Sequence, residues 1–134
     1  MAGYSGTPLA KKLGIKPRTS MFIYQPPKEY FDWLAPIPDD IVVKQKLSAD
    51  MDFIHLFVKE RKIFQNEFVR SMKHLDKAGT LWISWPKKSS KVETDLDENI
   101  IREFGLKEGL VDVKVCAIDD TWSGLKFVFR LKDR

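Results

Sequence analysis

Cysteine and histidine are nearly missing from this chain of 134 residues, which holds one cysteine, Cys116, and two histidines, His55 and His74. A lone cysteine forms no internal disulfide, so nothing in the composition asks for an oxidising compartment. Three such side chains are too few for a structural zinc site, and no metal is expected. Long apolar runs are absent as well. The most apolar stretches, such as Phe53 to Val58, are far too short to cross a bilayer, and no apolar stretch follows Met1 as a secretory signal requires. The expected location is therefore cytoplasmic, without a membrane partner. Charge of one sign is also scarce: 23 basic and 19 acidic residues leave a net charge of +4, with the two signs interspersed. Such a balance permits nucleic-acid binding without demanding it. No aromatic-interleaved basic stripe appears, so nucleic acid ranks last among partners, its contacts spread over Lys11, Lys12, Lys16, Arg18, Lys87 and Lys88.

What is present reads as one α/β domain over residues 1–134. Thr7 as N-cap, Pro8 at the first helical position and Gly14 as stop predict a short helix with Leu9 and Leu13 inward. Ser20 to Tyr24 reads as a first strand, ended by Pro26-Pro27. Tyr30, Phe31 and Leu34 follow at helical spacing. Ile41 to Leu47 reads as a second strand on a sheet edge, and Asp52 to Val58 as a third, apolar on both faces except at His55. A long helix is predicted from Glu60 to Asp76, with Phe64, Phe68, Met72 and Leu75 buried and Gly79 as its stop. Thr80 to Trp85 is a fourth, predominantly apolar strand. A helix is expected from Asp95 to Phe104, capped by Thr94 and Asp97, three residues apart. Val111 to Ile118 alternates as an edge strand should, and Leu125 to Leu131 returns beside it after the turn at 119–124. Helices in the connections favour parallel strands, so the pattern predicts a mixed sheet of about six strands with a C-terminal antiparallel hairpin. The third and fourth strands should be central.

The strand, long helix, "LDKAGTLWISWP", helix, strand and hairpin resemble the second half of a class I methyltransferase, a Rossmann-like fold. The resemblance implies a last strand slipped antiparallel between its two predecessors, and six strands where that family has seven. Three segments, "GTPLAKKLGIKP", "LWISWPKKSSKVETDL" and "GLVDVKVCAIDDTWSGLKFVFR", are also similar to an uncharacterised bacterial family, a domain of unknown function. That likeness implies no established activity. The chain departs from the methyltransferase pattern in two places. "YQPPKEY" has no glycine where that family carries a glycine-rich turn after the first strand, and Lys46-Leu47-Ser48 stand where an acid would hold the ribose. No cofactor and no catalytic residue are therefore expected.

In open α/β sheets, ligands bind outside the carboxyl ends of the strands, where strand order reverses. That edge should gather Gln25, Lys59, Trp85, Lys87, Lys88, Ser89 and Trp122 into one shallow basic cleft, with the two indoles as flat walls. The favoured function is a non-catalytic methyltransferase-like domain holding a small anionic or nucleotide-like ligand there. The alternative is a protein-interaction or dimerisation module that uses the edge strand and Trp122. His55 is read as a satisfied buried histidine, and Cys116 as a small core or interface residue.

Overall fold

The computed structural model describes residues 8–134. Six strands share one sheet: β1 (Ser20–Tyr24), β2 (Val42–Val43), β3 (Met51–Phe57), β4 (Leu75–Pro86), β5 (Leu110–Ala117) and β6 (Trp122–Phe129). Their order is β2-β1-β3-β4-β6-β5. The first four run parallel, and β6 lies antiparallel between β4 and β5. This is the expected mixed sheet with its terminal hairpin. β3 and β4 are central, and every residue of β3 except Asp52 is buried.

Four helices cover the sheet: α1 (Leu9–Leu13), α2 (Tyr30–Leu34), α3 (Arg61–His74) and α4 (Glu98–Glu108). Leu9, Leu13, Tyr30 and Leu34 from α1 and α2 pack on one face with Phe53, Phe57 and Trp82. Phe64, Phe68 and Ile101 from α3 and α4 pack on the other with Leu81, Ile83 and Phe127. Burying one such side chain contributes roughly 1.5–3 kcal/mol. Apolar strand residues alternate between the two cores, which is why β3 and β4 read as unbroken apolar runs.

Several boundaries differ from expectation. Thr7 lies outside the described residues, and Pro8 takes the N-cap place of α1. Gly14 ends that helix in the left-handed region, at φ 80°, as predicted. The second strand shrinks from seven residues to Val42 and Val43, both exposed, since it has a neighbour only in β1. Asp40 and Asp50, at φ 59° and 58°, turn the chain on either side.

α3 ends at His74, and Gly79 is not its stop. Leu75 enters the sheet at once, pairing with Met51, and pairing resumes at Phe53 with Thr80. The residues between loop out around an Asx turn in which the Ala78 N–H donates to the Asp76 carboxylate at 2.9 Å. Gly79 is needed there because a Cβ would stand 2.8 Å from the Met51 carbonyl oxygen. α4 starts later than expected. Asp97 is its N-cap, accepting from the Ile100 N–H at 2.8 Å, and Gly109 stops it at φ 109°. Thr94 takes no part in that cap and donates instead to the Lys59 carbonyl.

Candidate functional site

Parallel connections run outward from β1 to β2 and then back to β3, so strand order reverses between β1 and β3. At the carboxyl ends of those two strands lies a cleft of about 470 Å³, lined by Tyr24, Gln25, Pro27, Phe57, Val58, Lys59, Glu60, Ile63 and Trp122. Gln25 leaves β1 in the left-handed region at φ 52°, turning the chain sharply into Pro26-Pro27. Trp122 opens β6 and meets Phe57 edge-on, with ring centres 5.0 Å apart at 87°.

Below this floor, Phe57 stacks on His55 at 4.3 Å and 26°. His55 sits fully buried between two hydroxyls, Nδ1 at 2.9 Å from Tyr30 and Nε2 at 2.7 Å from Ser84. A neutral imidazole donates from one nitrogen and accepts at the other, so both hydroxyls are satisfied by it. Burial lowers the His55 pKa to about 3 and raises that of Tyr30. Serine, histidine and tyrosine in hydrogen-bonded sequence have the parts of a proton relay. Here all three are sealed from solvent, so none can reach a ligand.

The expected cleft is divided in two. Gln25, Lys59 and Trp122 do line the cleft just described. Trp85, Lys87 and Lys88 line a separate depression of about 330 Å³, shared with Asp97 and Glu98. Ser89 lies exposed in a single 3₁₀ turn, Lys88–Ser90, and lines neither. The physical reason is parity. Trp122 is paired with Pro86, one residue beyond Trp85, and neighbouring strand residues point to opposite faces. Trp85 is 6% exposed and belongs to the core beneath α3 and α4, whereas Trp122 packs on the core beneath α1 and α2. The two indoles therefore do not wall one cleft. The 87–91 loop does touch the hairpin, its Lys87 N–H donating to the Thr121 carbonyl at 2.7 Å.

Charge around the cleft is mixed. Asp95 reaches across from the loop before α4, accepting the Arg61 N–H at 2.7 Å, and so covers the start of α3. The acids expected at one helix start thus serve two helices. The Lys59 carbonyl accepts from the Thr94 hydroxyl and from the Asp95 N–H. Lys59 and Glu60 also border a neighbouring depression with Glu93, Thr94 and Asp95. An anion would find one ammonium here, flanked by carboxylates. The loops from Tyr24 to Lys28 and from Val58 to Arg61 were expected on this edge, whereas Phe57 and Ile63 were missed as lining residues. The signal for Phe57 was available, since it is the last residue of its strand.

The fold is that of class I methyltransferases. A ribosomal protein L11 methylase from Lactobacillus delbrueckii subsp. bulgaricus superposes with a TM-score of 0.55 at 12% identity, over 97% of this chain and 81% of that one. A SAM dependent methyltransferase from Aquifex aeolicus gives 0.59 at 14% identity, over 89% and 86%. Magnesium protoporphyrin IX methyltransferase from Synechocystis PCC 6803, solved with bound SAH, gives 0.59 at 9% identity, over 91% and 78%. No family model matches the chain, and no curated protein matches it in sequence.

The residues at the ends of β1 and β2 do not fit the SAM of such enzymes. Two of the three residues after β1 are prolines, without an N–H to offer, and the Pro27 carbonyl already accepts from the Tyr30 N–H at 3.0 Å. α2 has only five residues, too short to aim a useful dipole at an anion. β2 runs into exposed Lys44 where a carboxylate would be needed for a ribose.

Proposed function

We propose that this chain, folded like a class I methyltransferase, is a non-catalytic binding domain that takes a small nucleotide-like ligand in the cleft between β1 and β3. The composition of that cleft carries the reading: Trp122, Phe57 and Tyr24 offer flat apolar walls beside the Gln25 amide and the Lys59 ammonium. Stacking a planar ring on such walls contributes roughly 1–3 kcal/mol. An amide presents donor and acceptor together, which suits the edge of a heterocycle. Lys59 supplies a single positive charge, and Glu60 in the same cleft offsets it. A ligand with one anionic group fits that balance better than a polyphosphate. The sealed state of His55 supports the absence of catalysis, because the histidine beneath the cleft is fully buried between Tyr30 and Ser84 and cannot touch a ligand.

Titration with nucleoside monophosphates, read by tryptophan fluorescence, tests this. Saturable binding at submillimolar to millimolar concentration is expected. Lys59→Ala should weaken it about fivefold, the worth of one partly exposed charge contact, and Trp122→Leu should abolish the optical signal and most of the affinity. No saturation, or binding indifferent to both changes, would overturn the reading. Saturable binding of SAM in the same assay would overturn its non-catalytic part.

One observation favours a second reading, a protein partner or a second copy on the β5 edge. Val113 and Val115 on that strand are 53% and 47% exposed. The reading ranks second because pairing along β5 is irregular between Asp112 and Lys114, and bulges and lysines blunt sheet edges.

A further inference from the structure

At the opposite, amino-terminal end of the sheet, α1 hands over to β1 beside a depression of about 360 Å³. Lys16, Arg18 and Lys126 line it together with Thr19, Asp52 and Thr80. Three cations thus face one carboxylate. That carboxylate is already engaged, since Asp52 accepts from the Ser20 N–H at 3.0 Å and from its hydroxyl at 3.1 Å. A fourth cation stands alongside, because Lys114 is paired in register directly opposite Lys126. Like charges in that position repel. Among the described residues, the ion pairs join Arg70 to Glu67 and Arg102 to Glu98 and Asp112, so none of these four cations has an acidic partner. The Lys126 head group is held close to the end of α1, where a Cβ on Gly14 would be 3.6 Å from Nζ. Burial lowers the Lys126 pKa, and Lys114 and Lys16 lower it further.

We propose that this depression is a binding site for a small, multiply charged phosphate-type anion, separate from the cleft at the carboxyl edge. A folded chain that gathers four cations against one carboxylate is destabilised by their net repulsion, and a dianion or trianion placed among them offsets it. The Arg18 guanidinium is a planar fork that matches two phosphoryl oxygens, and the lysines add point charges. The Thr80 hydroxyl, which has no hydrogen bond among the described residues, adds a donor at the wall. A nucleic-acid backbone has the same phosphate chemistry but needs a continuous track. The cations of the 87–91 loop follow β4 at the other end of the sheet, so the basic surface here is a spot and not a stripe.

Calorimetric titration with inorganic pyrophosphate at low ionic strength tests the site. Saturable binding is expected, accompanied by a rise in unfolding temperature. Lys16→Gln combined with Arg18→Gln, both exposed loop positions, should weaken it on the order of tenfold, and Lys126→Gln should do likewise. Nucleotide binding at the Trp122 cleft should be indifferent to the Lys16 and Arg18 changes, so failure of one site is distinguishable from failure of the other. Absence of saturation at millimolar pyrophosphate, or affinity unchanged in the Lys16 and Arg18 double variant, would overturn the proposal. So would an oligonucleotide that binds more tightly than pyrophosphate and is lost in the same variant, which would assign the spot to a phosphate backbone.

Discussion

Ser71 occupies the buried stripe of α3, and its hydroxyl has no hydrogen-bond partner among the described residues. A buried, unpaired hydroxyl costs about 1–3 kcal/mol, and alanine is also the better helix former. Ser71→Ala is therefore expected to stabilise the protein by about 1 kcal/mol in chemical denaturation. His55 makes the opposite kind of statement. Its folded pKa, about 3, lies below the ordinary value of 6.5, so the unfolded chain takes up a proton that the folded chain refuses. Stability from this residue is complete above about pH 6.5 and declines by about 1.4 kcal/mol per pH unit as pH falls towards 3. Denaturation between pH 6.5 and 5, above the range where carboxylates dominate, should show this slope, and His55→Gln should remove it. A histidine inside an apolar strand could be read as buried and satisfied from sequence. Its partners could not be named, because Tyr30 and Ser84 lie 25 and 29 residues away on separate elements.

Among the elements, α4 depends on one glycine that looks expendable. Gly105 faces β6, and a Cβ there would stand 2.1 Å from Phe127 Cε1. Phe127 cannot yield, since it is fully buried and meets Phe68 edge-on at 5.3 Å. Helix propensity alone would reward Gly105→Ala by about 1 kcal/mol, but overpacking of a filled core costs about 1–3 kcal/mol. The net outcome expected in thermal or chemical unfolding is destabilisation, against the propensity scale. Gly79 misled the reading of α3 in the same way. Glycine after a helical run suggests a stop, yet this one serves a close approach to the Met51 carbonyl. The central strands were legible because both faces of β3 and β4 are apolar. The place of β2 at a sheet edge was legible as well, but its length was not, since a two-residue pairing at an edge leaves little mark on sequence. The site was legible by loop but not by face, and the single-residue offset between Trp85 and Pro86 decided which indole entered the cleft.

For the molecule as a whole, the two depressions differ in kind: aromatic and nearly neutral in the cleft at the carboxyl ends of β1 and β3, cationic with Asp52 as its one lining acid in the depression at the amino end. The β5 edge decides whether the chain acts alone. Because its ladder is interrupted at 112–114, sedimentation velocity is expected to show a monomer, unchanged by Val115→Lys. A dimer that dissociates on that substitution would move the second reading into first place.

The position of β6 has a bearing on how the protein comes into being in time. A chain emerging from synthesis presents β4 well before β6, the strand that covers its far edge, whereas β5 precedes β6 by a single tight turn. Until 122–129 arrive, the apolar edge at Leu81 and Ile83 has no neighbour on that side. Through that interval the nascent chain is a sticky template for other strands. The β5–β6 hairpin is the local contact that can form first, and it must then dock as a unit against β4. Slow or interrupted synthesis near Asp119 and Asp120 should therefore yield aggregate in place of a partly folded soluble species.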